Sequence, residues 1–287
     1  MPGTVEAFGS IPAGGLNQIF QDLNSATIVG LDTETHTVED KTMIGLAIAP
    51  NPDYAVWFAE NSPYLHIALS ILRNPAITKV IHNSKFDFDV LELFGIDETN
   101  FEDPMILAYT LNLPQKLYDL ASHLGKTIDA KFVSFTIPKG GSMLDVWNSD
   151  PDFVIQKCCT DAKLALWCWY KLVPQIVESY YIDRNIVHIL RHMEHMGVAL
   201  NQASVSEFYA VLNEETTYLR QLIQTKGCDP NSNQQVGVAL AQRGWRLPYT
   251  KSRKQLKVDE RTIRDIQDPL AQSVLIYREK EIGRAHV

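Results

Sequence analysis

Strand-like and helix-like segments alternate along this chain up to Val173, and after it the strands vanish. A chain that alternates in this way must build a sheet and cover it with helices, while a purely helical continuation needs a second core of its own. "ATIVGLDTET" (26–35), "TMIGLAIAP" (42–50) and "YAVWFAE" (54–60) read as strands, being apolar and rich in β-branched or aromatic residues. "SPYLHIALSILRN" then predicts a helix, with a Ser cap and Pro at the first helical position. "ITKVIHN" is a further short strand, and it leads into the helix "SKFDFDVLELF", which Gly95 stops. "EDPMILAYTLN" and "LYDLASHLG" predict two more helices. Residues 125–150 read as irregular, and a helix from Pro151 to about Val173 closes the unit. Residues 1–175 are therefore expected to form an α/β domain, a mixed sheet flanked by helices.

Residues 176–287 are expected to be all-α. "DRNIVHILRHMEHMGVALN", "ASVSEFYAVLNEETTYLRQLIQTKG", "SNQQVGVALAQRG" and "VDERTIRDIQDPLAQSVLIYREKE" supply the helices, with a basic loop, "RLPYTKSRKQLK", before the last. The boundary is placed near residues 174–182. Net charge is −8, but it is uneven: residues 1–175 hold 11 basic and 21 acidic side chains, residues 176–287 hold 15 and 13. An acidic first part argues against gripping nucleic acid by bulk charge, and it leaves room for recruiting divalent cations. No apolar run approaches the ~18 residues that cross a bilayer, so no membrane partner is expected. The N-terminus lacks the basic stretch of a secretory signal. Cys158, Cys159, Cys168 and Cys228 show neither a C-x-x-C pair nor zinc spacing, which fits core packing in a reducing, cytoplasmic setting.

In three stretches, acids stand where apolar residues are expected. Asp32 and Glu34, in "GLDTET", are two apart on a strand and leave the same face. Asp87 falls on the stripe Asp87, Val90, Leu91, Phe94. Asp161, in "QKCCTDAKLALW", falls on the stripe Val154, Cys158, Asp161, Ala165, Cys168, Leu172. A buried acid must be paired, protonated or bound to a metal. Ordinary readings exist for each alone: D-x-E is common, Asp87 suits a first helical turn, and Asp161 can pair with Lys157 at i,i+4. Together, on the inward side of one mixed sheet, four carboxylates make a hard-cation site suited to Mg²⁺ or Mn²⁺.

"DTET", "HNSKFD" and "CCTD" resemble the three motifs of the DEDD 3′→5′ exonucleases, as found in the proofreading domain of family-A DNA polymerases of the bacterial DNA polymerase I type. "FEDPMILAYTLN" and "LYDLASHLGK" are similar to that family's helices between the second and third motifs. "RHMEHMGVALN", "DPNSNQQVGVALAQRGWRLP" and "LAQSVLIYREKE" look like the start of the polymerase region, including the base of its thumb. The resemblance implies an RNase H-like sheet in which Asp32, Glu34, Asp87 and Asp161 hold two divalent cations. Asp32 would bridge both, Glu34 and Asp161 would serve the first, and Asp87 the second. Two ions about 4 Å apart would drive in-line hydrolysis of a 3′-terminal nucleotide. By the same likeness Thr35, Val38 and Asn83 would contact that nucleotide. Lys251, Arg253, Lys254 and Lys257 would meet the backbone of a primer-template duplex. The implied partner is DNA, as a single-stranded 3′ end or a duplex, and the implied state is a monomer in a bacterial or phage-infected cell.

The departure is Lys157, which stands where the family has a Tyr four residues before the last acid; Gln156 stands where a sister group has His. A lysine can touch the scissile phosphate as a point charge, or neutralise Asp161 and weaken metal binding. The expectation is a retained metal site with reduced or altered hydrolysis. The alternative is a catalytically silent exonuclease fold serving DNA binding or scaffolding; a freestanding RNase D-like nuclease fits the later helices less well. Two further features have plain readings. His188, His192 and His195 are expected on a solvated helix face beside the apolar stripe Ile186, Ile189, Leu190, Met193, Met196, and "PKGGS" as a flexible loop that could guide a strand. The polymerase's palm and fingers motifs do not occur before Val287. Because "EIGRAHV" can encode a common sequencing adapter, residues 282–287 are expected to be non-native.

Overall fold

The computed structural model describes residues 5–9, 15–97, 100–250, 252 and 254–285. Two compact units divide at Gly197, the first being Met1–Gly197 and the second Val198–Val287. In the first, strands β1 (Val5–Gly9), β2 (Ile28–Thr35), β3 (Met43–Asn51), β4 (Tyr54–Ala59), β5 (Thr78–Ile81) and β6 (Phe101–Glu102) form one sheet, ordered β1-β4-β3-β2-β5-β6. β1, β4, β3 and β2 run antiparallel to their neighbours, while β2, β5 and β6 are parallel. This is the expected mixed sheet, RNase H-like in arrangement, with β2 between an antiparallel and a parallel neighbour. β1 is an addition: "VEAFG" gave no strand signal, and it pairs with β4 across Val5↔Phe58 to Gly9↔Tyr54.

Helices cover both faces. α1 (Gly15–Ser25), α2 (Leu65–Arg73) and α3 (Ser84–Glu92) share one apolar cluster with Val29, Leu31, Leu46 and Phe58 of the sheet. On the other face lie α4 (Pro104–Thr110), α5 (Leu117–His123), α6 (Ala130–Val133), α7 (Met143–Ser149) and α8 (Pro151–Leu172). α6 and α7 correct the irregular reading of 125–150. Both are short and owe their starts to side-chain caps. Asp129 accepts from the Lys131 N–H, and a reciprocal Ser142–Asp145 box opens α7.

α8 runs across the sheet beneath β2, β3 and β4. Its N-cap Asp150 accepts from the Phe153 N–H at 3.0 Å, and Pro151 supplies the fixed φ of a first turn. Val154, Cys158, Cys159, Ala162, Ala165, Cys168 and Leu172 are all buried, so the three helix cysteines lie in the core, as expected. Gly30 of β2 is what lets α8 approach. A Cβ there would lie 2.1 Å from the Ala162 carbonyl oxygen and 2.9 Å from Leu166 Cβ. Gly30→Ala should therefore force α8 off the sheet and lower unfolding stability by about 3 kcal/mol in a denaturant titration. An unchanged midpoint would contradict this packing.

α9 (Glu178–Met196) belongs by its contacts to the first unit, some twenty residues beyond the expected boundary. The reason is charge pairing invisible along the sequence. Arg191 donates to Asp89 and Glu92 of α3, each at 2.8 Å, and Lys85 pairs with Glu194 at 2.6 Å. The buried positions of α9 are Tyr180, Val187 and Arg191. His188, His192 and His195 are exposed as expected, but so is the stripe Ile186, Ile189, Leu190, Met193, Met196.

The second unit contains α10 (Gln202–Thr225), α11 (Asn233–Gln242), α12 (Glu260–Ile263) and α13 (Pro269–Ala285) around Ile223, Val236, Leu240, Ile263, Leu270 and Val274. The helical segment 258–281 is divided into two helices, because Pro269 cannot continue α12 and instead begins α13, with Asp268 accepting from the Leu270 N–H at 2.7 Å. Ile282 and Gly283 are helical in α13, while His286 and Val287 lie outside the described residues. No helix among the described residues is long and apolar enough to cross a membrane.

Candidate active site

Asp32 and Glu34 lie on the α8 side of β2, two residues apart, in register with Ala47 and Gly45 of β3. A register irregularity follows at Glu34/Thr35, where β2 leaves the sheet. Asp161 rises from the middle of α8 toward them, and Lys157 sits one turn earlier. The Lys157 Nζ donates to Glu34 Oε1 at 2.8 Å and to Asp161 Oδ2 at 2.9 Å. Thus the i,i+4 pair open to Asp161 does form, and it extends to an acid 123 positions away.

Asp161 is further held by Tyr118 of α5, whose hydroxyl donates to Oδ1 at 2.6 Å. Both carboxylate oxygens of Asp161 are therefore engaged. Tyr118 carried no signal in the sequence, where it reads as one more half-buried residue of an amphipathic helix. The start of α5 is itself anchored to the end of β5, since His82 Nε2 lies 2.8 Å from the Gln115 carbonyl oxygen.

Asp32 contrasts with its neighbours. Its Oδ2 is buried and has no hydrogen-bond partner. Burial, then the charges of Asp161, Glu34 and Asp87, push its carboxyl well above the usual range, against the opposing pull of Lys157. Burial raises Glu34 as well, although Lys157 resists. Burial opposes the charge on Lys157, but Asp161, Glu34 and Asp32 outweigh it and hold the ammonium protonated. One Lys cannot neutralise this many acids.

Asp87 approaches from the opposite side. It lies on α3 and accepts at Oδ1 from the Thr33 N–H at 2.9 Å and the Thr33 hydroxyl at 2.8 Å. Burial lifts its carboxyl to about 7, despite those two hydrogen bonds. α3 is itself fixed by Asp103, which accepts from the Ser84 N–H at 2.8 Å and from the Ser84 hydroxyl at 2.9 Å. Asp103 is a second residue that the sequence reading passed over; it caps α4 through the Met105 N–H as well.

The donor set suits a hard divalent cation. Asp32, Glu34 and Cys158 present possible ligand atoms within 4.8 Å of one another. Cys158 is no thiolate ligand, however: burial and the adjacent acids push its thiol well up, and it donates to the Asp32 main-chain oxygen at 3.4 Å. The carboxylates remain, and an orphaned buried oxygen on Asp32 is what a cation would satisfy. Glu34 and Asp161 meet that test less well, because an ammonium already lies between them.

The other expected contacts are placed as follows. Thr35 is buried, with its hydroxyl donating to the Thr37 carbonyl at 2.7 Å. That turn holds Val38 outward, 68% exposed. Asn83 is exposed at the start of α3 in a left-handed conformation, φ 69°. In the second unit Lys254 and Lys257 are exposed on a small hairpin closed by a Tyr249↔Leu256 bridge, and Lys257 pairs with Asp259 at 3.0 Å. Lys251 and Arg253 lie outside the described residues.

Known proteins resemble this chain along most of its length. Residues 13–137 match the model of a 3′-5′ exonuclease family. That span holds Asp32, Glu34 and Asp87, while Lys157 and Asp161 lie beyond it on α8. DNA polymerase I of Rhizobium leguminosarum is 24% identical over 167 residues, covering 54% of this chain and 16% of that protein. DNA polymerase I of Chloroflexus aurantiacus is 23% identical over 297 aligned positions, covering 93% of this chain and 32% of that protein. The chain thus spans less than a third of the curated relatives' length. Among solved structures, the POL domain of Pol1 from M. smegmatis, in complex with DNA primer-template and dNTP, shares the fold with a TM-score of 0.56. Its identity is 17%, over 96% of this chain and 48% of that one. Residues 13–137 thus match the 3′-5′ exonuclease family, and over most of its length the chain is similar to bacterial DNA polymerases I.

Proposed function

We propose that the first unit is a metal-dependent 3′→5′ exonuclease that removes nucleotides from the 3′ end of DNA. One observation carries this reading: Asp32, at the centre of the acids, has a buried oxygen without a hydrogen-bond partner. A structural carboxylate would be paired there. Asp32, Glu34, Asp87 and Asp161 are the residues to hold Mg²⁺ or Mn²⁺, two ions in the family's arrangement. Bound cations supply Lewis-acid charge at the scissile phosphate and lower the pKa of a nearby water. The protein's own part is positional. Tyr118 and Lys157 orient Asp161, Thr33 orients Asp87, and exposed Val38 and Asn83 offer an apolar and a polar contact to a terminal nucleotide beside buried Thr35.

The second unit is read as the beginning of a polymerase region, and Lys251, Arg253, Lys254 and Lys257 as contacts to duplex backbone through phosphate neutralisation. The chain would act as a monomer on a single-stranded or frayed 3′ end, in a bacterial or phage-infected cytoplasm.

One observation favours a second reading, a silent exonuclease fold used for binding: the ion pairs of Lys157 occupy two of the four acids. A rate comparison separates the two. Wild type is expected to release nucleotides from single-stranded DNA at least tenfold faster than Asp161→Ala, and Lys157→Tyr faster than wild type, since cation charge contributes several kcal/mol to such displacements. Wild type no faster than Asp161→Ala would establish the silent reading.

A further inference from the structure

We propose that the Lys157 ammonium permanently takes the place of one of the two cations, so that this site binds a single divalent ion. The inference rests on the exonuclease reading and goes beyond it in the number of ions and in the part given to Lys157.

The geometry is specific. Nζ lies 2.8 Å from Glu34 and 2.9 Å from Asp161, the two acids that would serve the first cation. The other oxygen of Asp161 accepts from the Tyr118 hydroxyl at 2.6 Å, so both of its oxygens are already engaged. A Mg²⁺ ion demands oxygens at about 2.1 Å in near-octahedral array, and dehydrates reluctantly. It cannot share two carboxylates with an ammonium already hydrogen-bonded between them. Asp32 is the reverse case, with a buried oxygen that meets no donor. Asp87 is held by Thr33 through Oδ1 alone. Asp32 with its free oxygen, and Asp87, whose charge acts on it from α3, are the acids that Lys157 leaves for a single ion.

The ammonium already brings positive charge to Glu34 and Asp161. The ammonium also differs from a metal in what it does: it holds Glu34 and Asp161 in place and presents positive charge, but it does not acidify water.

Counting Mn²⁺ on the intact chain by the loss of free Mn²⁺ electron paramagnetic resonance signal tests this without reference to turnover. Wild type is expected to take up one equivalent, Lys157→Tyr and Lys157→Gln two, and Asp32→Asn none at the same concentrations. Two equivalents on wild type, or one on all the Lys157 variants, would overturn the inference and leave the exonuclease reading intact. No uptake by wild type would overturn both. The wild-type count decides even if a Lys157 variant fails to fold.

Discussion

Asp32→Asn is expected to melt higher than wild type in chelator, while losing hydrolysis of 3′ ends by about a thousandfold. The two effects have one cause. Asp32 Oδ2 is a buried acceptor with no donor, surrounded by Asp161, Glu34 and Asp87. A group in that state costs about 1–3 kcal/mol of stability. Asn keeps the shape, removes the charge, and turns an amide N–H₂ toward acceptors. For a unit of this size, regaining 1–2 kcal/mol raises the melting temperature by about 2–8 °C. Hydrolysis moves the other way, because the same oxygen is the one best placed to hold a cation. Losing about 4 kcal/mol of charge stabilisation lowers the rate roughly a thousandfold. A variant that melts lower and still cuts would show that Asp32 is a structural acid.

Lys157→Met should have the opposite signature. In chelator it leaves Glu34 and Asp161 buried without their cation, an uncompensated charge that costs about 3–5 kcal/mol. Glu34 and Asp161 are 8% and 10% exposed as side chains, so solvent offers them little screening. Mn²⁺ should then restore the variant more than it stabilises wild type, since binding at a hundredfold excess over Kd contributes about 2.7 kcal/mol per site. Melting in chelator and in Mn²⁺ measures both quantities. Equal Mn²⁺ shifts in the two proteins would mean that Lys157 and the cation do not compete for Glu34 and Asp161.

These residues also show what a sequence can and cannot disclose. Asp32 and Glu34 were legible because a period of two puts both on one strand face. Asp161 was legible because its helix is otherwise apolar on that side. The link from Lys157 to Asp161 is local and could be named in advance. Its link to Glu34 spans 123 positions and exists only because Gly30 lets α8 lie against β2. Tyr118 was not legible at all: nothing in "LYDLASHLG" distinguishes a phenol aimed at Asp161 from one in solvent. Asp87 was placed correctly on its helix, but its partner Thr33 lies on another element.

The fold divides along the same lines. Strands β2 to β5 and the long helices carry strong hydrophobic periods. β1 and α7 do not, since one is an edge strand held by pairing and the other a short helix held by its capping box. α9 is legible as a helix, but ties to distant residues, such as Arg191 with Asp89 and Glu92 and Tyr180 with Glu102, are what assign it to the first unit.

The most direct measurement is the digestion of a 5′-labelled single-stranded DNA by the intact chain, with Mn²⁺ and with chelator, beside Asp32→Asn. The account predicts a ladder of strands shortened one nucleotide at a time from the 3′ end, seen with Mn²⁺ and wild type only. An uncut strand with wild type and Mn²⁺, or the same ladder from Asp32→Asn, would contradict it.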